Sequence, residues 1–539
     1  MLLLRIWILL SLALSLSHIL NGVPLLLNLL ELNLLLLLLL KLELKPENPK
    51  RMTCQKEWWL WFRRGAALVW GCVLTLSAGQ LSAFSSYAGA LGAALGADLA
   101  ALNAAVNTGF VGHLLLGCVS GFYADRLGAV AALAHGLGTG TAGALGVWAL
   151  AAWPPRALRP AATAALLCAC FFLVGRGCAS FYFAATSVVP HCFPARARPV
   201  VFGLLVTCFG FSGAAYTLLY QRFLARGAPL PAFFLALALV TAAVGLGAFA
   251  LVAPAPTVHS VPTDEKKDSG SKEDQEEERD ITGMALLREP TYVLTWLGAG
   301  LLMGAAMTFI ANTRLVLLAN GCRAARATSF VAYASYVNGL GRVVLAVASY
   351  FALEARTPAV RVALCQPFFF FVAGVLAVAA GALGAAQGAG VLAAALLFPL
   401  ANAAVLAVLL SYIQRSFGSR HFGFNFALMP ALSCVVSMGL GTITGRLYDR
   451  EAAAQGSTSL SSSESMGSSG STATEVTCVG HRCFGTALDI ICGVVGLACV
   501  AFTTVWVLEM RTQLHKEQKR QREENNRRRL ESQPLLLNA

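Results

Sequence analysis

Between residues 65 and 508 the chain is a succession of apolar runs, each about as long as the roughly 20 residues that carry a helix across a bilayer core of ~30 Å. Lipid offers no partner to an open backbone N–H or C=O, so every such run has to be helical. Twelve runs are legible, near 65–88, 103–122, 129–152, 161–187, 200–221 and 230–253, then 291–312, 328–351, 364–384, 390–412, 423–444 and 485–508. Only 12% of the 539 residues are charged and 57% are hydrophobic. Soluble chains carry about 25% charged residues, so a soluble enzyme, a disordered scaffold and a collagen-like rod are excluded. The expected fold class is an all-α membrane protein with twelve transmembrane helices in two pseudo-symmetric six-helix bundles.

The polar segments divide the chain. Residues 1–50 open with 22 leucines among the first 40 and little pattern. They read as a signal sequence, as an extra span, or as an extension ahead of a native start at Met52, and are expected to be disordered or not native. Residues 51–253 form the N-terminal bundle. Residues 254–289, with Glu276-Glu277-Glu278 near their centre, are a charged, solvated linker on the cytoplasmic side. Residues 290–510 form the C-terminal bundle, with a Ser-rich disordered insert at 451–477, and 511–539 form a basic cytoplasmic tail. The flank 51–64 holds four Lys/Arg and the stretch 511–529 holds eight, which places both ends in the cytoplasm. The internal loops do not discriminate between the two orientations.

Short motifs recur in a telling order. Gly121-Phe122-Tyr123-Ala124-Asp125-Arg126-Leu127-Gly128 closes span 2 and opens span 3. Its glycines permit a tight turn and close helix approach, and Asp125 and Arg126 can bridge neighbouring helix ends. The stretch resembles the loop 2–3 signature of the major facilitator superfamily, in which Gly121, Asp125, Arg126 and Gly128 form a gating loop. Gly79–Tyr87, Asn107, Asn338-Gly339-Leu340-Gly341-Arg342, Phe424-Asn425-Phe426, the run Gly445–Glu451 and Cys478–Phe484 further resemble the nodulin-like branch, related to monocarboxylate-type carriers. The resemblance implies the major facilitator fold and solute transport. One departure stands out: the counterpart of the gating signature after span 8 reads Ala348-Ser349-Tyr350-Phe351 and lacks the acidic residue.

A charge at the bilayer centre costs at least about 2.5–3.5 kcal/mol, so it faces a cavity or a partner. Arg176 in span 4 and Arg342 in span 8 are such charges, and both are expected below the midplane, towards the cytoplasm. They read either as anion-binding or proton-coupling groups, or as structural donors to carbonyls or to the facing half. Tyr87, Asn107, Asn338 and Asn425 are the further candidates for lining a pathway, each amide able to donate and accept at once; helix–helix glue is the competing reading.

Outer connections carrying Arg156, Arg159, Arg222, Arg226, Arg314, Arg323 and Arg326 form a positive mouth. With the two deeper arginines, it points to alternating-access transport of a small organic anion, monocarboxylate-like and moved with a proton. The alternatives are a non-transporting receptor or scaffold on a carrier fold, and a carrier of a neutral or cationic solute. No enzyme activity, cofactor, metal or nucleic-acid partner is expected. Gly138-Thr139-Gly140-Thr141-Ala142-Gly143 matches a dinucleotide pattern, but it lies inside span 3 with no strand before it. Cys478 and Cys483, on the outer side, can close a small disulfide loop or remain free thiols. In the tail, Glu531 followed by Leu535 and Leu536 resembles a dileucine sorting signal read by adaptor proteins. It places this multi-pass membrane protein in a vacuolar or lysosomal-type membrane, with the plasma membrane as the alternative.

Overall fold

The computed structural model describes residues 54–97, 99–154, 159–194, 197–252, 281–355, 357–386, 388–460 and 478–532. The chain falls into two compact units, Met1–Gly71 and Cys72–Ala539. Of the first, residues 54–71 are described and are helical. The second holds the architecture that matters for function.

Eleven helices among the described residues are long and apolar enough to cross a membrane. They are span 2 (Ala104–Arg126), span 3 (Gly128–Ala152), span 4 (Pro160–Cys192), span 5 (Arg198–Phe223), span 6 (Leu230–Phe249), span 7 (Pro290–Ala319), span 8 (Ser329–Leu353), span 9 (Gln366–Ala385), span 10 (Ala389–Phe417), span 11 (Phe422–Gln455) and span 12 (Gly485–Asn526). Span 1 is divided. Helix Cys54–Ala78 gives way to a 3-10 turn, Gln80–Ala83, before helix Phe84–Leu95 resumes. A side chain at Gly79 would collide with Ser212 of span 5 and stand 3.0 Å from the Phe209 carbonyl, so the break is where span 1 crosses span 5.

Because the helices alternate in direction, the ends at Arg126, Val252, Pro290 and Phe417 share one face, here the linker face; the 478–483 loop lies on the opposite, far face. Both halves are packed through glycine. In hydrocarbon no hydrophobic force draws helices together, so contact depends on how closely backbones approach. A Cβ on Gly177 of span 4 would stand 2.6 Å from the Gly140 nitrogen of span 3, and one on Gly112 of span 2 would stand 2.7 Å from the Phe172 carbonyl of span 4. In the C-terminal half, Gly298 accommodates the Phe502 ring and Gly374 the backbone of Cys499.

The structure revises several boundaries. The linker end is not solvated coil. The Ile281 N–H donates to the Phe417 carbonyl at 3.1 Å, and a 3-10 turn, Gly283–Arg288, leads into span 7. The insert expected at 451–477 begins as helix, since Phe422–Leu460 is continuous. Glu451, the alanines and Gln455 are good helix formers. The Gln455 amide also clasps the Val479 backbone in both directions, donating at 3.0 Å and accepting at 2.9 Å. The tail continues the last helix as Gly485–Ser532. Its pairs Lys519–Glu523 and Arg520–Glu524, each at 3.9 Å, have the i,i+4 spacing that supports an exposed helix. Residues 1–50, most of the linker, 461–477, Leu535 and Leu536 lie outside the described residues.

Replacing Gly177 by valine is expected to pry spans 3 and 4 apart and cost about 1–3 kcal/mol, the usual penalty for overpacking. Gly138, on the same span 3 with no neighbour within 4 Å, should accept valine without loss. Tryptophan-fluorescence melting of the two variants in detergent reads the difference.

Candidate solute pathway and gate

Span 2 is not a uniform helix. Residues Val111–Leu115 form a π-helical turn, in which the Leu116 N–H reaches back five residues to the Val111 carbonyl at 2.9 Å. Such turns widen the helix and turn carbonyls outward. Arg176, 6% exposed and near the centre of span 4, fills that opening. Its Nη1 donates to the Gly112 carbonyl at 3.4 Å and, more closely, to the Leu116 carbonyl, while its Nη2 is buried without a partner. Glycines at 109, 112 and 175 let spans 2 and 4 come close enough for this contact.

Arg342, 3% exposed, faces the other half of the molecule. Its Nη1 donates to the Val206 carbonyl of span 5 at 2.6 Å, and its Nη2 to Asn338 Oδ1 at 3.3 Å. Asn402 of span 10 donates to the same Asn338 oxygen at 3.2 Å, while Arg342 Nε and Asn402 Oδ1 are buried without partners. The guanidinium reaches a carbonyl inside a helix because Gly210 presents no side chain; a Cβ there would stand 2.9 Å from Nη1. Neither arginine meets a carboxylate among the described residues. Both lie near the middle of their helices, not displaced towards the linker face as the shorter sequence-derived spans implied. Span 4 runs on to Cys192 and so recentres Arg176.

The two halves also meet at the linker face. Asp125 accepts the N–H groups of Gly423 at 2.9 Å and Phe424 at 2.7 Å, the first turn of span 11. Those amides have no partner inside their own helix, and the positive end of the helix dipole favours a carboxylate there. Gly121 allows the approach, since a Cβ would stand 2.9 Å from the Phe424 nitrogen. Gly128 takes φ +83°, a left-handed turn that begins span 3. Arg126 does not bridge helix ends; it is exposed and lies 5.9 Å over the Phe122 ring. Above this latch an aromatic layer crosses the seam: Tyr182 stacks on Phe426 at 6.2 Å, Phe183 meets Phe426 at 6.0 Å, and Phe202 meets Phe422 at 5.3 Å. Nearer the face, Gln414 Nε2 donates to His191 Nε2 at 3.1 Å, with the His191 Nδ1 proton given to the Ser187 carbonyl.

Exposure falls along one face of span 8, from exposed Ser335 through half-buried Asn338 to buried Arg342. The seam contacts described above lie at mid-span and towards the linker face. Asn107 is exposed on the far-face half of span 2. The remaining candidates sit elsewhere. Tyr87 is buried among Phe84, Tyr220, Phe233 and Phe234 inside the N-terminal half, with ring centroids 5.3–6.2 Å away, so it packs and does not line the seam. Asn425 belongs to the linker-face latch, donating to the Ile281 carbonyl at 2.8 Å while its own carbonyl accepts the Tyr292 hydroxyl at 2.7 Å. Cys478 and Cys483 are joined by a disulfide, and the Gly480 N–H of that loop donates to the Ala319 carbonyl at the end of span 7 at 2.7 Å. Glu531 lies in the tail helix. Absent from the sequence-derived candidates are Tyr182 and, most notably, His113, which is buried on the π turn beside the Arg176 contact.

Residues 61–275 match the Nodulin-like family. No curated protein matches closely enough to extend that result. A bacterial homologue of the iron transporter ferroportin in an outward-facing state superposes with a TM-score of 0.58 at 13% identity, over 82% of this chain and 98% of that one. The transporter FucP in the outward conformation gives 0.51 at 13% identity, over 83% and 98% of the two chains. The proton:xylose symporter XylE gives 0.51 at 13% identity, over 81% and 95%. Identities this low establish the fold alone, and that fold is the twelve-helix major facilitator fold.

Asp125→Ala removes the cap of span 11, and caps of this kind are worth about 0.5–2 kcal/mol. The linker-face seam should open more often. Spin labels at Leu127 and Arg415, both exposed on that face, should then show a longer distance population than in the parent.

Proposed function

We propose that this chain, whose N-terminal half is nodulin-like and whose fold is that of the major facilitator superfamily, carries a small organic anion of the monocarboxylate type by alternating access, together with a proton. The observation that supports this reading is the pair of mid-depth guanidinium groups. Each is held by backbone carbonyls, each keeps an unpartnered donor, and neither has a carboxylate to neutralise it among the described residues. A carbonyl accepts a hydrogen bond but brings no net negative charge, so a site with two such cations favours an anionic guest.

The Val206–Arg342 bond ties the halves together in the state seen here. An anion descending the exposed face of span 8 competes for the Arg342 guanidinium. Its release from Val206 frees the halves to rock about the central site. Exposed Arg222, Arg226, Arg323 and Arg326 at the far face raise the local anion concentration at the entrance. With the basic tail in the cytoplasm, the far face is extracytoplasmic or lumenal and this conformation opens outward. Glu531 with Leu535 and Leu536 then lies where adaptor proteins can read it, directing the carrier to a vacuolar or lysosomal-type membrane.

Uptake of labelled short monocarboxylates into proteoliposomes tests the reading. Arg342→Ala should lower apparent affinity roughly ten- to hundred-fold, since a hydrogen bond to a charged group contributes about 1.5–3 kcal/mol. Arg342→Lys should lose less. Equal uptake by Arg342→Ala and the parent removes this residue from the mechanism.

A further inference from the structure

We propose that His113 is the group that takes up and releases the coupled proton, an inference that rests on the anion reading above. A coupled carrier needs, at the depth of its solute, a side chain that changes charge near neutral pH, and imidazole is the side chain that does so without large perturbation. Among the described residues of the spans, acidic groups lie near or beyond the faces: Asp125 at the end of span 2, Glu451 far along span 11, Asp489 one turn into span 12, and Glu509, Glu517, Glu523 and Glu524 at the linker-face end of span 12. His191 sits at the linker face bonded to Gln414, and His135, seven residues into span 3, is hydrogen-bonded through Nδ1 to Ser180 Oγ at 2.8 Å. His113 is midway along span 2.

Its surroundings connect it to both the charge and the seam. Arg176 binds the carbonyls of Gly112 and Leu116, on either side of His113 in the chain. The imidazole lies 5.6 Å from the Phe209 ring and 6.5 Å from Tyr182, which stacks on Phe426 across the seam. The titratable and charged groups facing this turn and its arginine are Arg176 and Tyr182 from span 4, Cys118 and Tyr123 of span 2 itself, His135 of span 3, Cys434 from span 11, whose thiol points at the Phe110 carbonyl, and, beyond Tyr182, Arg342 of span 8. Carboxylates are absent from this set.

The charge logic follows. Imidazolium beside the Arg176 guanidinium places two like charges together. An anion between them reverses the sign, so anion and proton each raise the other's affinity by the same factor. One proton from water on the open side binds an imidazole nitrogen as the anion arrives. The halves rock, and the same proton returns to water on the other side as the anion leaves.

The test uses the full chain in proteoliposomes with a trapped pH dye and labelled L-lactate, reading protons moved per lactate moved. A ratio near one in the parent that falls towards zero in both His113→Gln and His113→Asn supports the assignment, because a merely structural lesion lowers both fluxes together. A second reading is the imidazole signal that His113→Gln deletes from the NMR spectrum of the histidine-labelled protein; its titration midpoint should move to higher pH when lactate is added. A parent-like ratio in the variants, or a midpoint unmoved by lactate, overturns the role of His113 while the anion reading stands. A parent that neither moves nor binds lactate, pyruvate or acetate overturns the anion reading, and this inference with it.

Discussion

Backbone groups that regular helices leave unsatisfied organise the functional centre of this molecule. In hydrocarbon an unpaired N–H or C=O costs several kcal/mol, so each irregularity in a span must be met by a side chain. The π turn at Val111–Leu115 turns carbonyls towards span 4, and Arg176 meets them. The start of span 11 presents free amides, and Asp125 meets those. Charges that would be prohibitive against lipid become tolerable because they close these gaps, and gaps and charges occur together at the seam between the halves.

That pairing also explains how the seam can be strong in one state and yet break. Asp125 against the first turn of span 11 and Arg342 against Val206 are contacts between a side chain on one half and a backbone on the other. Neither requires a matching side chain, only a close approach that Gly121 and Gly210 permit. In the alternating-access motion proposed above, rocking the halves would separate such contacts without unravelling a helix. The aromatic layer of Tyr182, Phe183, Phe202, Phe422 and Phe426 adds apolar closure across the seam. The stretch Ala348–Phe351 lacks the acidic member of the gating signature, and Glu354 follows only at the helix end. There spans 5 and 8 approach through Gly203, packed against Ala346, and through the Arg342 bond, not through a capped helix end.

Much of the fold was legible because the bilayer imposes one length and one polarity on every crossing. Eleven of the helices stand where the apolar runs are, and the break in span 1 falls at Gly79, within a motif already singled out. Where the sequence misled, the cause was local. The helix of span 11 outran its apolar core at 451–460, where Ala, Glu and Gln favour helix as well in water as in lipid. Tyr87 carries the polarity of a pathway residue, yet it faces spans 5 and 6 and not the other half. Asn425 looked like an intramembrane amide and proved to be a pin on the end of the linker. His113 went unremarked because a histidine in an apolar run carries no periodicity or spacing that sets it apart from a core residue.

By itself, then, the sequence determined a helical membrane protein, the apolar runs that become its crossings, the charged residues buried among them and the glycine-flanked loop after span 2. These follow from composition and period, since lipid leaves a buried charge or an open backbone few alternatives. Only the tertiary structure decided what each charge touches. A helix with 3.6 residues per turn presents every side chain to one neighbour, and a single π turn, or a glycine where another residue could stand, changes which neighbour that is. The partners of Arg176 and Arg342 are backbone carbonyls, which every residue carries and no sequence pattern marks.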